Sequence, residues 1–379
     1  MSAVSHATKQ LAAHRSGHRV VSVYLDLDPD RFATAPARAS QIRSLIDGAH
    51  KNLESTDGLD HEELISLRSD LERIDTYLSS DEPPFQGARA LAVFCCGRDD
   101  LFEVIALPRT TEGRVLIEPT PYIEPLVVAT AERRWAVILV SRRIARLLTG
   151  TPSTLSEHER FNDDVRGQHG QGGPSQANYQ RSIEKDTDDH LRRVADGVNQ
   201  RFREERFHRV ALGGPVEIVP RLEAFLSAEV KACLAPGRIE VDLSSAGDDE
   251  IRDALATLVL DDEKQCERDA LDRLAAGVGS GGRGVGGPAD TLEALGERRV
   301  QTLLLEPGFD GRAARCQTCG LLMLESDGRC PADGGPLEEL EHLREGAIEA
   351  ALAQGADVLV VRHYPDLGPF QGIGAILRF

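Results

Sequence analysis

The chain contains no run of about 18 or more apolar residues, so no transmembrane helix is expected. Its first twenty residues mix Ser, His, Lys and Arg without the roughly 7 to 15-residue apolar core of a secretory signal, and a cytoplasmic setting is expected. Basic charge is scarce: 44 Lys and Arg face 62 Asp and Glu, for a net charge of −18. That balance argues at first against nucleic acid, whose phosphates draw on a basic surface, and no DNA partner is expected. The acid is concentrated at 57–63, 248–267 and 338–345, however, and locally basic stretches remain at Arg133-Arg134, Arg142-Arg143 with Arg146, Arg192-Arg193 and 201–209. Net charge alone therefore does not name the partner. Catalytic signatures are missing too: there is no Gly-x-Ser-x-Gly elbow, no His-Glu-x-x-His helix and no Gly-Lys-Ser/Thr phosphate loop. Cys95-Cys96 lie in an apolar strand-like run and Cys233 and Cys266 in helical patterns, which suits a reducing compartment without structural disulfides.

The 379 residues have room for several cores, and three regions of alternating helices and strands are expected. In residues 1–121, a polar helix precedes a strand at 20–27. Helices follow at 38–53 and 61–78, and a strand at 88–96 pairs with 101–107 across Gly97-Arg98-Asp99-Asp100. In residues 122–276, the apolar run Trp135–Val140 reads as a central strand with 141–148 as its hairpin partner. A polar connector follows at 153–166, then a helix from Gln176 to about Arg203, strands at 209–212 and 238–243, a helix at 216–226, and an acidic helix from Asp248 to about Ala275. Residues 277–379 open on a glycine-rich stretch, 277–287, read as a flexible connection. Beyond it come helices at 290–295 and 337–353 and strands at 300–305, 357–361 and 374–378, an α/β/α pattern.

The stretch from Gly167 to Arg181 stands out. Glycines at 167, 170, 172 and 173 allow a close backbone approach to a partner, and Ser175, after Pro174, is placed to cap the long amphipathic helix that follows. The segment Gly172-Gly173-Pro174-Ser175 resembles the Gly-Gly-Gln loop of archaeal and eukaryotic class-1 release factors, and the chain is similar over its length to bacterial relatives of those factors and of Pelota, including Balon-like hibernation factors. The two glycines and the serine match, and the catalytic glutamine does not. The resemblance implies an N-terminal α/β domain facing the decoding centre and a ribonuclease-H-like middle domain carrying the loop. It further implies a ribosomal-protein-like α/β/α C-terminal domain facing a GTPase such as elongation factor Tu. A nuclease on the middle architecture needs clustered carboxylates on its core strands, and Trp135–Val140 has none. Nor does the first region contain the Asn-Ile-Lys-Ser type motif with which release factors read the codon.

Within the third region, Cys316-Gln317-Thr318-Cys319-Gly320 and Cys330-Pro331-Ala332-Asp333-Gly334 form two knuckles of a zinc-ribbon-like insertion, 311–336. Asp333 stands where a fourth cysteine would, so the candidate Zn2+ ligands are Cys316, Cys319, Cys330 and Asp333. The resemblance makes the 70S ribosome and its A-site rRNA the expected partner, with tRNA and elongation factor Tu as further ones. The docking loop is His169, Gly170, Gln171, Gly172, Gly173, Pro174, Ser175 and Gln176, and candidate RNA contacts are Arg31, Arg38, Arg142, Arg143 and Arg181. Three functions stay open: occlusion of an idle ribosome, peptidyl-tRNA hydrolysis through Gln176, and a zinc-stabilised protein adaptor that binds no RNA.

Overall fold

The computed structural model describes residues 3–14, 17–55, 59–80, 88–107, 110–130, 133–163, 176–279, 282–324, 328–364 and 366–379. The fold is mixed α/β. Two compact units are distinguished: one of residues 1–131 with 267–379, the other of 132–266.

The N-terminal segment contributes α1 (Ala3–Ala12), β1 (Val20–Asp26), α2 (Pro29–Phe32), α3 (Ala35–Ser55), α4 (His61–Leu78), β2 (Ala90–Cys96), β3 (Leu101–Leu107), β4 (Arg114–Glu118) and α5 (Glu124–Thr130). Its antiparallel sheet runs β3-β2-β1-β4. Side chains alternate across a strand, so β1 sends Val20 and Tyr24 to the face shared with α1 and α5, and Val21, Val23 and Leu25 to the face under α3 and α4. Both faces are covered, which is why every residue of β1 and β2 is buried, Ser22 and Asp26 of β1 included. Asp60 caps α4 by accepting from the Glu63 backbone N–H at 2.7 Å, which accounts for the sharp helix start at His61.

The 132–266 unit holds β5 (Trp135–Val140), β6 (Ile144–Gly150), β7 (Ser156–Asn162), α6 (Gln176–Glu204), β8 (Arg209–Gly213), α7 (Val219–Phe225), α8 (Ala228–Ala232), β9 (Leu234–Ile239) and α9 (Asp248–Gly279) as far as Cys266. The sheet order is β7-β6-β5-β8-β9, antiparallel up to β5 and parallel from β5 to β9. β5 lies at the centre. Ala136, Ile138 and Val140 pack under α6 and α7, and Trp135, Val137 and Leu139 pack under α9.

The expected connector at 153–166 is instead partly β7. Its residues are mostly exposed and only Phe161 is apolar, so strand character comes from pairing with β6 and not from local periodicity. β9 also lies earlier than the expected 238–243, because Asp242 accepts from the backbone N–H groups of Ser244 and Ser245 at 2.8 and 3.1 Å and turns the chain.

The C-terminal segment adds β10 (Gly284–Gly286), α10 (Pro288–Gly296), β11 (Val300–Leu305), β12 (Ala313–Cys316), β13 (Leu322–Met323), β14 (Leu337–Leu340), α11 (Leu343–Ala353), β15 (Asp357–Val360) and β16 (Ile373–Leu377). One sheet runs β10-β16-β11-β15, covered by α10 and α11 on one face and by Ala270, Leu271 and Leu274 of α9 on the other. The glycine stretch is not simply a flexible connection. A Cβ on Gly286 would lie 2.1 Å from Phe370, so glycine there permits a close contact inside an edge strand. The expected helix at 337–353 is divided, since 337–340 pairs with β12 as β14 and the helix starts only at Leu343.

Within this unit the N- and C-terminal segments share one apolar core, from Leu11, Phe94 and Leu126 to Leu295, Ala347 and Ile348. A polar seam reinforces it. Arg344 forks onto Glu124 with two bonds of 2.7 Å, and the Ile123 backbone N–H donates to Glu345 at 2.5 Å.

Candidate functional site

α6 is a 29-residue helix of polar composition whose apolar residues fall on one face. Leu191, Val194, Ala195, Val198 and Phe202 are buried against the sheet, whereas Arg181, Glu184 and Lys185 are exposed. The buried face begins at Thr187, and the preceding turns carry no fully buried side chain among those described. Asp163, at the end of β7, is bonded to the ring of His190 and to Arg193 at 2.6 Å, and its backbone N–H donates to the Arg143 carbonyl at 2.9 Å. The chain thus leaves the sheet beside His190, about 21 Å along the helix from Gln176 at 1.5 Å per residue. His169, Gly170, Gln171, Gly172, Gly173, Pro174 and Ser175 lie outside the described residues, and of Gln176 only its place at the start of α6 is described.

The arginines singled out by sequence have distinct surroundings. Arg142 and Arg143 are exposed in the β5–β6 turn, near the base of the loop, with Arg142 3.5 Å from Glu217. Arg181 is exposed on α6. Arg31 pairs with buried Asp26 at 2.8 Å, and Arg38 donates to the Phe32 and Ala33 carbonyls at 2.9 and 3.1 Å, so both brace the strand-to-helix turn. Arg146 on β6, counted by sequence in the same basic stretch as Arg142 and Arg143, is instead buried. It donates to Glu157 at 2.5 Å and to the Ala246 carbonyl at 2.6 Å, and lies 3.4 Å from Asp248. Glu157 and Asp248 therefore serve an ion pair.

The two knuckles of the ribbon are near copies of each other. Gly320 N–H donates to the Cys316 carbonyl at 2.9 Å, and Gly334 N–H to the Cys330 carbonyl at 2.8 Å. Cys316 N–H reaches Leu321 at 2.9 Å, and Cys330 N–H reaches Gly335 at 3.0 Å. Gly320 and Gly334 take φ of +76° and +72°, the left-handed turn that lets each knuckle close. The repeat places Asp333 in the position of Cys319. All four donor atoms lie within 4.8 Å of one another, with Cys319 and Cys330 sulfurs 3.6 Å apart and Cys316 Sγ 3.4 Å from Asp333 Oδ1.

The donor chemistry fits a tetrahedral cation of the zinc type. Burial raises the Cys316 thiol, but the N–H groups of Cys319 and Thr318 together with hydrogen bonds from the Cys319 and Cys330 side chains hold it below its ordinary value. Asp333 is held low chiefly by the Gly335 N–H. The Leu321 N–H favours the Cys319 thiolate, yet burial and the neighbouring acidic donors push that thiol up to about 12. Four acidic groups so crowded ionise together only around a cation.

Residues 121–260 match the family model of bacterial archaeo-eukaryotic release factor family 10. The chain is 26% identical over 252 residues to peptide chain release factor subunit 1 of Pyrococcus abyssi, covering 58% of this chain and 60% of the relative, and 25% identical over the same length and coverage to its counterpart from Thermococcus kodakarensis. It thus spans about 60% of the length of these curated relatives. Among solved structures it matches a ribosome-bound archaeal Pelota at 16% identity and a TM-score of 0.43, over 76% of this chain and 77% of that one. The chain is thus similar to archaeal peptide chain release factors, and the part that matches the family 10 model is its middle region, 121–260.

Proposed function

We propose that this protein is a ribosome-binding translation factor that occupies the A site of an idle 70S ribosome and blocks it without releasing peptide. The observation that carries this reading is Pro174, which follows Gly172-Gly173 on the approach to α6. In the release-factor loop the residue after the two glycines is a glutamine whose amide helps position a water beside the ester joining peptide to tRNA. Proline offers neither a side-chain amide nor a backbone N–H, so it supplies neither contact. Glycine, the residue type that allows the closest backbone approach, is kept at 170, 172 and 173, while glutamine is absent from its usual place.

The three regions divide the work in this reading. Residues 1–121 lie toward the decoding centre, 122–276 carry the loop toward the peptidyl-transferase centre, and 277–379 face elongation factor Tu. Arg142, Arg143 and Arg181, exposed near the loop or on its helix, are the arginines best placed for rRNA or tRNA phosphates. Zinc on Cys316, Cys319, Cys330 and Asp333 would hold the ribbon's knuckles together, a structural contribution. The setting is cytoplasmic, and no described helix is long and apolar enough to cross a membrane.

The test combines cosedimentation on vacant 70S ribosomes across a salt series with peptide release from loaded ribosomes. Binding that weakens with salt, without release, supports occlusion. Release abolished by Gln176→Ala would replace this reading with hydrolysis through Gln176, and failure to sediment would favour the RNA-free adaptor.

A further inference from the structure

We propose that His208, Asp262 and Cys266 form a second divalent-metal site, of the zinc type, within the 132–266 unit. The three side chains come from two elements. Asp262 and Cys266 are four residues apart on α9 and so share one helix face. His208 immediately precedes β8, where its backbone N–H donates to the Arg134 carbonyl at 2.7 Å and fixes where the ring stands. Nitrogen, oxygen and sulfur donors of the three all lie within 4.8 Å of one another.

The distances converge on a single oxygen. Asp262 Oδ2 is 2.6 Å from His208 Nε2 and 3.9 Å from Cys266 Sγ. In a tetrahedral site with bonds of about 2.0 to 2.3 Å, neighbouring ligands stand about 3.3 to 3.5 Å apart. One observed separation must open and the other close by less than an ångström, within the reach of side-chain torsions. The other carboxylate oxygen, Oδ1, is already occupied by Arg209 Nε at 2.5 Å. That is the outer-shell arrangement that orients a ligating carboxylate.

Burial and charge are also compatible. The Asp262 and His208 side chains are 7% and 20% exposed, enough shelter to order ligands while leaving a way in. One thiolate and one carboxylate balance a divalent cation, and an imidazole, carboxylate and thiolate together select zinc or cobalt over magnesium or calcium. Arg133 lies across the approach, its Nη1 3.3 Å from His208 Nδ1 and 3.8 Å from Cys266 Sγ. It is exposed and long, so it swings outward when a cation enters. Three protein ligands leave a fourth position for water, unlike the four-ligand ribbon.

The full-length protein, stripped of metal, is titrated with Co2+ and followed by thiolate-to-cobalt absorption, alongside Cys266→Ala and His208→Gln. The ribbon contributes equally to all three proteins and cancels. Circular dichroism checks that each variant is folded. Each variant is expected to bind one equivalent fewer than wild type, with Cys266→Ala also losing one thiolate's share of the absorption. Unchanged equivalents in either folded variant would overturn the proposal. The readout is independent of ribosome binding and so stands apart from the proposed function.

Discussion

Arg315 and Glu349 offer a direct test of what fastens the ribbon to the C-terminal domain. Arg315 lies on β12, next to Cys316, and its Nη2 is 2.5 Å from Glu349 Oε2 on α11. Their side chains are 7% and 1% exposed, so neither charge has much access to water. Glu349→Leu would leave the guanidinium buried without its counter-ion, at a cost of about 3 to 5 kcal/mol. Replacing both, Arg315→Met with Glu349→Leu, removes the stranded charge and keeps the volume, so stability is expected to return to wild type or exceed it by about 1 to 4 kcal/mol. At roughly 2 to 4 °C per kcal/mol for a body of this size, the single variant should melt about 10 °C lower. The assay is urea unfolding by circular dichroism with parallel calorimetry on wild type, both single variants and the double. The reasoning fails if Glu349→Leu costs under about 1 kcal/mol, or if the double variant is no more stable than the single.

Three further outcomes are expected. Gly214 has φ of +141° and a Cβ there would lie 2.1 Å from the Val140 carbonyl oxygen, so Gly214→Ala should cost more than about 2 kcal/mol, read as a lowered thermal midpoint of the 132–266 unit. Burial raises the Glu345 carboxyl well above its usual value, with Glu349 and Glu124 adding to the rise and the Ile123 N–H and Arg344 opposing it. The folded state therefore keeps a proton that the unfolded chain releases, and this contribution is full below pH 4.5 and declines as pH rises toward the folded pKa. Glu345→Gln should flatten that decline, measured as unfolding free energy between pH 5 and 8. In the ribbon, Cys330→Ser should sharply weaken Co2+ binding, whereas Asp333→Cys should raise thiolate-to-cobalt absorption at that site by about a third, as three thiolates become four. An unchanged spectrum in Asp333→Cys would remove residue 333 from the ligand set.

Much of the fold was legible wherever local rules suffice. The apolar period of 3.6 marks α4 at 61–78, and the apolar runs at 90–96 and 135–140 mark strands covered on both faces. The two knuckles were legible because cysteine spacing and a following glycine are local chemistry. Elements made by distant partners were not. β7 is polar and becomes a strand by pairing with β6, β14 separates from α11 by pairing with β12, and β10 needs glycine because Phe370 presses on it.

The sequence by itself thus determined the α/β alternation, the glycines ahead of a long helix, the proline after Gly172-Gly173, and the Cys-x-x-Cys and Cys-x-x-Asp spacing. Only the tertiary structure decided that residues 1–131 and 267–379 share a unit, that Asp333 occupies the geometric place of Cys319, and that His208 meets Asp262 and Cys266. Periodicity and turn chemistry act over a few residues and can be read in order along the chain. Strand pairing, the neutralising of buried charge and the convergence of ligands depend on groups tens of residues apart, which only the folded backbone brings within bonding distance.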